Sequence, residues 1–215
     1  MTASDGSLSS AAATVTMTLA AVNDAPGFVM PTGNAMLTEF SEVSAMAFDS
    51  FGNLYVAHPV NDTVSKFVPG ATTVSATLTG LSDPRALAFD SSGNLYVAGI
   101  GTVSKFAPGE TTASATLTGP QGWLTRSGAL VFDGFGNLYV VDGTEVHKFA
   151  PGETEATASW ELTDQNFDGP VLAVDEAGNL FVASRSTLQF ILERFGAIRV
   201  QAGAGAQTRA GFATN

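Results

Sequence analysis

Cysteine is absent from this chain. That absence excludes disulfide staples, thiolate metal sites and a cysteine nucleophile. It leaves the compartment open, because a chain of 215 residues can bury a core that needs no staple. Charge is scarce as well: nine Lys and Arg stand against twenty Asp and Glu, 13% of the chain. The net charge of −11 speaks against nucleic acid, whose phosphates need a basic footprint, and against anionic membrane surfaces. No apolar run is long enough to cross a bilayer, so membrane insertion is not expected. The opening MTASDGSLSS has neither a basic n-region nor a hydrophobic h-region. It reads as the middle of a longer frame, and the expectation is a segment of a larger protein.

What is there is a repeat. FDSFGNLYVA at Phe48 returns as FDSSGNLYVA at Phe89, FDGFGNLYVV at Phe132 and VDEAGNLFVA at Val174. Asp49, Asp90, Asp133 and Asp175 are 41, 43 and 42 residues apart, and each leads into a Gly-Asn pair. The second unit shows four β-like runs: Ala86 to Phe89, Asn94 to Ala98, Thr102 to Ala107 and Ser114 to Thr118. Asp-x-x-Gly-Asn makes a tight turn between the first two, with Asp capping and Gly supplying positive φ. Pro-Gly, at Pro69-Gly70, Pro108-Gly109 and Pro151-Gly152, turns the third run into the fourth.

Four strands in a unit of about forty residues make the blade of a β-propeller. The predicted fold class is all-β, a propeller of four-stranded antiparallel blades, with the four units present forming an incomplete propeller. Ala35 to Thr38 matches the fourth-type run and lies upstream of the first unit. The units are therefore divided as 34–72, 73–111, 112–154 and 155–192, so that an N-terminal strand would complete the last blade and hide its edge. Residues 193–215, rich in Ala and Gly, are expected to be irregular.

The run AFDSFGNLYVAHPVNDTVSKF resembles an NHL-type propeller repeat. The likeness rests on the Asp-x-x-Gly-Asn turn, the aromatic-Val-Ala strand, Asn61 in the next loop and the Lys66-Phe67 strand end. It covers residues 34 to 190 and concerns the fold. The family's Asp after the second strand is kept only at Asp142; His58, Gly99 and Ser184 stand there in the other units. Thr63 occupies the family's basic position, so the likeness does not extend to its basic RNA-binding face. ATVTMTLAAVNDAP, Ala13 to Pro26, is similar to the last strand and linker of cadherin-like or VCBS-type bacterial surface modules. On that resemblance residues 1–30 end an upstream module. Asn23 and Asp24 match a linker pair that helps bind calcium in that family. The alternative is a plain interdomain turn, since hard cations need about six to eight oxygens.

Candidate site residues are found where the repeat breaks. Asp-x-x-Gly-Asn lacks the spacing and distal Glu of an EF-hand loop, so the repeated aspartates read as turn residues. The breaks are the loop HPVNDT with His58, Asn61 and Asp62, the loop DGTE with Asp142 and Glu145, and PQGWLTRSG with Trp123 and Arg126. These loops are the candidate ligand-binding surface. Trp123 with Arg126 fits a stacking platform for sugar or peptide, or else Trp123 covers a blade edge. His58 and His147 read as a loop histidine and a strand-surface histidine. Tyr55, Tyr96 and Tyr139, with Phe67, Phe106 and Phe149, recur at fixed phase and mark blade-to-blade packing.

No catalytic residue and no cofactor other than calcium is expected. The predicted function is a non-catalytic scaffold of a secreted or cell-surface protein, mediating adhesion or binding of a protein or carbohydrate ligand. Self-association through an open blade edge is the further partner expectation. The alternative is a metal-dependent lactonase of the gluconolactonase-like propeller type, which would hold one divalent ion between blades.

Overall fold

The computed structural model describes residues 42–120, 124, 127–162, 171–176, 178–183, 187–192 and 197–202. Residues 1–30, with the surface-module resemblance and Asn23 and Asp24, lie outside them, as does the fourth-type run at Ala35 to Thr38.

Among the described residues, sixteen strands form four antiparallel sheets of four, each in simple sequence order. The first blade holds β1 (Ala45–Phe48), β2 (Leu54–His58), β3 (Thr63–Phe67) and β4 (Ala76–Leu78). The second holds β5 (Ala86–Phe89), β6 (Leu95–Ala98), β7 (Val103–Phe106) and β8 (Ala115–Leu117). The third holds β9 (Ser127–Phe132), β10 (Leu138–Asp142), β11 (Glu145–Phe149) and β12 (Ala158–Glu161). The fourth holds β13 (Val171–Val174), β14 (Leu180–Ala183), β15 (Thr187–Leu192) and β16 (Ala197–Ala202). The first strands touch in series, β1 with β5, β5 with β9 and β9 with β13. The architecture is a β-propeller whose sheets, among the described residues, do not close into a ring.

Two features depart from the sequence reading. Each fourth strand joins the three before it: β4 pairs with β3 through Val64–Leu78, Ser65–Thr77 and Lys66–Ala76. The sheets therefore run 45–78, 86–117, 127–161 and 171–202. The last blade draws its fourth strand from the C-terminal tail, since β16 pairs with β15 along six residues. The alternation Ile198-Arg199-Val200-Gln201 is a strand pattern that the Ala- and Gly-rich composition around it conceals.

The Asp-x-x-Gly-Asn turn is a clamp. In the first blade, Asp49 Oδ1 accepts from the backbone N–H groups of Phe51 and Asn53, both at 2.9 Å, and Oδ2 accepts from Asn53 Nδ2 at 2.7 Å. Asp90 and Asp133 repeat all three bonds, and Asp175 takes both Asn179 groups. Gly52, Gly93, Gly136 and Gly178 sit at φ between 79° and 84°, where a Cβ is disfavoured. The carboxylates are thus occupied within their own turns.

Blades pack through a repeated aromatic seam. Tyr55 meets Phe89 of the next blade at 5.1 Å between ring centroids and 69° between planes, and Tyr96 meets Phe132 at 5.0 Å and 70°. These are edge-to-face pairs, favoured by the ring quadrupole. Lys66, Lys105 and Lys148 hold their ammonium groups 5.4, 5.5 and 5.7 Å from the centroids of Tyr55, Tyr96 and Tyr139. Three core clusters each span two blades: Tyr55, Ala57, Val64 and Leu78 pack on Leu95, Val97 and Phe106, and the next seams repeat the pattern. Backbone bonds add to the seams, from Thr79 N–H to the Thr111 carbonyl at 3.4 Å and from Thr118 N–H to the Thr154 carbonyl at 3.0 Å.

Candidate functional site

An antiparallel blade has two rims. One carries the Asp-x-x-Gly-Asn turn in all four blades and the Pro-Gly turn in the first three. The other carries the loops between second and third strands and the connections between blades. His58, Asn61, Asp62, Asp142 and Glu145 all lie on this second rim, as the topology requires.

In the first blade a short 3-10 turn, Pro59–Asn61, lengthens the loop after β2. Asn61 is exposed there. Asp62 closes the turn at φ 54°, a left-handed conformation that Asp tolerates better than most residues. Its carboxylate accepts from the Asp83 backbone N–H at 2.7 Å and so ties this loop to the connection entering the second blade. Asp83, also left-handed at φ 47°, pairs its own carboxylate with Arg85 at 2.6 Å, with a further bond from Arg85 Nε at 2.8 Å. The sequence reading missed Asp83 and Arg85. They occur once, and only the fold brings Asp83 to a residue 21 positions away. His58 is no loop residue: it ends β2 and is 2% exposed, with Nδ1 3.3 Å from the Glu42 carbonyl.

The second blade answers with a minimal loop. A Cβ on Gly99 would run into the backbone carbonyl of Ser82, so only glycine fits this close approach. Ile100 N–H bonds the same carbonyl at 2.9 Å. Leu124, from the loop that also holds Trp123 and Arg126, is fully buried in the seam between second and third blades and bonds the Gly101 carbonyl at 2.8 Å. Trp123 and Arg126 themselves lie outside the described residues.

The third blade gathers the densest polar group. Asp142 and Glu145 face each other across the β10–β11 hairpin. Both approach His147 Nε2, at 3.9 Å and 3.5 Å, while His147 Nδ1 is 2.8 Å from Ser159 Oγ on β12. His147 is 2% exposed, not a surface residue as its strand position implied. It stands where the first two blades bury Ser65 and Ser104. Burial pushes its pKa down; the Glu145 and Asp142 carboxylates push it up; the balance lies below the ordinary value. The ring is therefore neutral at pH 7.

A nucleophile triad needs its base held by a third group at hydrogen-bond distance, about 2.6–3.2 Å. Carboxylates at 3.5 and 3.9 Å do not hold the ring in that way. His58 and His147 sit in the first and third blades, and the fold does not bring them together. Among the described residues, no three His, Cys, Asp or Glu side chains are grouped to hold a metal ion.

No family model matches the chain, and no curated protein does. Solved structures resemble it in shape. Hydrazine synthase of Kuenenia stuttgartiensis matches with a TM-score of 0.64 at 16% identity, over 81% of this chain and 53% of that one. The extracellular domain of a putative hybrid two-component system from B. thetaiotaomicron gives 0.60 at 12%, over 75% and 23%. That of a putative one-component system from the same organism gives 0.57 at 14%, over 77% and 25%. The chain thus spans about half of the first structure's chain and about a quarter of the other two. At such identities the likeness is one of fold.

Proposed function

We propose that the chain is a non-catalytic binding scaffold of a secreted or cell-surface protein, in which NHL-type blades present one variable rim to a protein or carbohydrate ligand. One observation carries this reading. The turn rim repeats the same clamp in blade after blade, whereas the opposite rim differs among the first three blades. Packing explains a repeated feature; a surface that changes from unit to unit over a constant frame is where recognition resides. Two of the similar structures are extracellular domains of a putative two-component and a putative one-component system, which supports the extracellular placement. Adhesion, and the position of the chain within a larger surface protein with a cadherin-like module before it, belong to the same proposal.

The groups that reach the surface there are the Arg85–Asp83 pair, Asn61 and the Glu145 carboxylate. With a net charge of −11 around them, they favour a ligand bearing cationic or hydroxyl groups over an anionic one. The test is a glycan and basic-peptide array probed with the intact chain and with Arg85→Ala and Glu145→Ala. Hits that these variants lose support the proposal, and a blank array, or hits that ignore both changes, contradicts it.

A further inference from the structure

The third blade departs from the first two at one cross-strand pair. In the first blade Ser65 on β3 stands opposite Thr77 on β4, and in the second Ser104 on β7 stands opposite Thr116 on β8. In the third the same pair is His147 on β11 and Ser159 on β12. The change brings a base to a hydroxyl, with His147 Nδ1 2.8 Å from Ser159 Oγ. The base is inside and the hydroxyl outside: His147 is buried, whereas Ser159 is exposed on the outer strand of its sheet.

The direction of that hydrogen bond follows from the other ring nitrogen. A neutral imidazole carries its proton on one nitrogen and a lone pair on the other. Glu145 Oε2 and Asp142 Oδ2 stand 3.5 and 3.9 Å from His147 Nε2. At those distances neither holds the ring as the third member of a triad, but charge acts over a longer range than a hydrogen bond. Two carboxylates on one side favour the tautomer with its proton on Nε2. Nδ1 is then the acceptor, and the Ser159 hydroxyl donates to it. The same carboxylates stabilise the imidazolium that forms when the ring takes the hydroxyl proton. Ser75 and Ser114 are exposed as well, but their hydroxyls donate to the Lys66 and Lys105 backbone carbonyls, at 2.8 and 3.2 Å. An amide carbonyl is too weak a base to take that proton.

We propose that Ser159 is a nucleophilic serine, activated by His147, that accepts an acyl group from an activated ester. Ser159 Oγ adds to the ester carbonyl carbon while its proton passes to His147 Nδ1. The bond from that carbon to the leaving oxygen then breaks, and the leaving group takes the proton away as an alcohol. The product is an O-acylserine on the chain, formed once per site, and the step does not depend on the variable rim binding a ligand. Glu145 and its register partner Glu161 share a face with His147 and Ser159. Their charge disfavours an anionic acyl group, so the donor is neutral or cationic.

The test treats the intact chain with p-nitrophenyl acetate at neutral pH and follows acetylation residue by residue with peptide mass spectrometry. Ser159 should acetylate about a hundredfold or more faster than Ser75 and Ser114, the size of assistance that a positioned general base gives. His147→Gln keeps a polar partner for the Ser159 hydroxyl but removes the base, and should bring Ser159 down to the rate of the other two serines. A thermal melt matching the parent protein shows that the variant folds, and the comparison of the three serines needs no variant at all. Ser159 reacting no faster than Ser75 and Ser114 overturns the proposal. So does a Ser159 rate that His147→Gln leaves unchanged.

Discussion

Asp133→Ala should cost more stability than the same change at Asp49, although both aspartates close the same turn. Each carboxylate accepts two backbone N–H groups and the amide of the following Asn. Most of those donors are near enough to solvent to be rehydrated, so losing the shared set costs about 1–2 kcal/mol. Asp133 Oδ2 also accepts the Tyr139 hydroxyl at 3.2 Å, and Tyr139 is fully buried. Removing a charged acceptor from a buried hydroxyl adds about 1–2 kcal/mol. Burial alone would raise the Asp133 pKa, but the bonds from Asn137, Phe135 and Tyr139 outweigh it and hold the carboxyl below its ordinary value. A depressed folded pKa means the stabilisation is fully present above the unfolded value and is lost as pH falls through the folded one. The assay is thermal unfolding of both variants, followed by circular dichroism and by the fluorescence of Trp160, which sits in the same blade as Asp133. The expected gap in Tm is about 2–8 °C at neutral pH, at about 2–4 °C per kcal/mol for a chain of this length. It should shrink below pH 4 and vanish in the Tyr139→Phe background, as a double-mutant cycle requires. Equal losses at both positions, or a gap that survives Tyr139→Phe, would refute this assignment of the clamp.

Other outcomes follow from the same geometry. Gly99→Ala should destabilise by about 1–3 kcal/mol through its clash with the Ser82 carbonyl, whereas Gly134→Ala, with open space around it, should be near neutral; urea midpoints separate the two. His147 is held neutral by burial, so its contribution to stability is present above its unfolded pKa and is lost as pH falls through its lower folded one. His147→Ser, which restores the residue type of the first two blades, should flatten the loss of stability that sets in as pH falls below the ordinary histidine value of about 6.5. Phe89→Leu keeps most of the buried volume but removes the edge-to-face contact with Tyr55, and should cost about 0.5–1.5 kcal/mol in denaturant unfolding.

The frame was legible because the turn residues announce it. Asp-x-x-Gly-Asn and Pro-Gly recur at near-constant spacing, and each has a local reason to turn the chain. The division into blades was not legible. Ala-Thr-Leu at 76–78 carries no mark saying whether it pairs with β3 before it or with a strand after it; only the hydrogen bonds decide. Strand β16 was hidden by its flanks, because a six-residue alternation is short beside an Ala- and Gly-rich tail. The rim residues were found by looking where the repeat breaks, and that method located Asp142, Glu145 and Asp62. It could not say that Asp62 reaches Asp83, or that His147 is buried. His147 follows the phase of Ser65 and Ser104, and burial at those positions becomes visible only when the neighbouring strands are in place.

The most direct test of the scaffold reading compares the two rims in one binding experiment. The array hits of the intact chain would be measured again with a variable-rim double variant, Asp62→Ala with Glu145→Ala, and with a turn-rim double variant, Glu110→Ala with Glu153→Ala, at the residues that follow Pro108-Gly109 and Pro151-Gly152. The two lose the same formal charge, so a bulk electrostatic effect would weaken both alike. Binding lost in the first and kept in the second is the predicted result. Binding lost in the second, or in neither, would place recognition elsewhere and contradict the account.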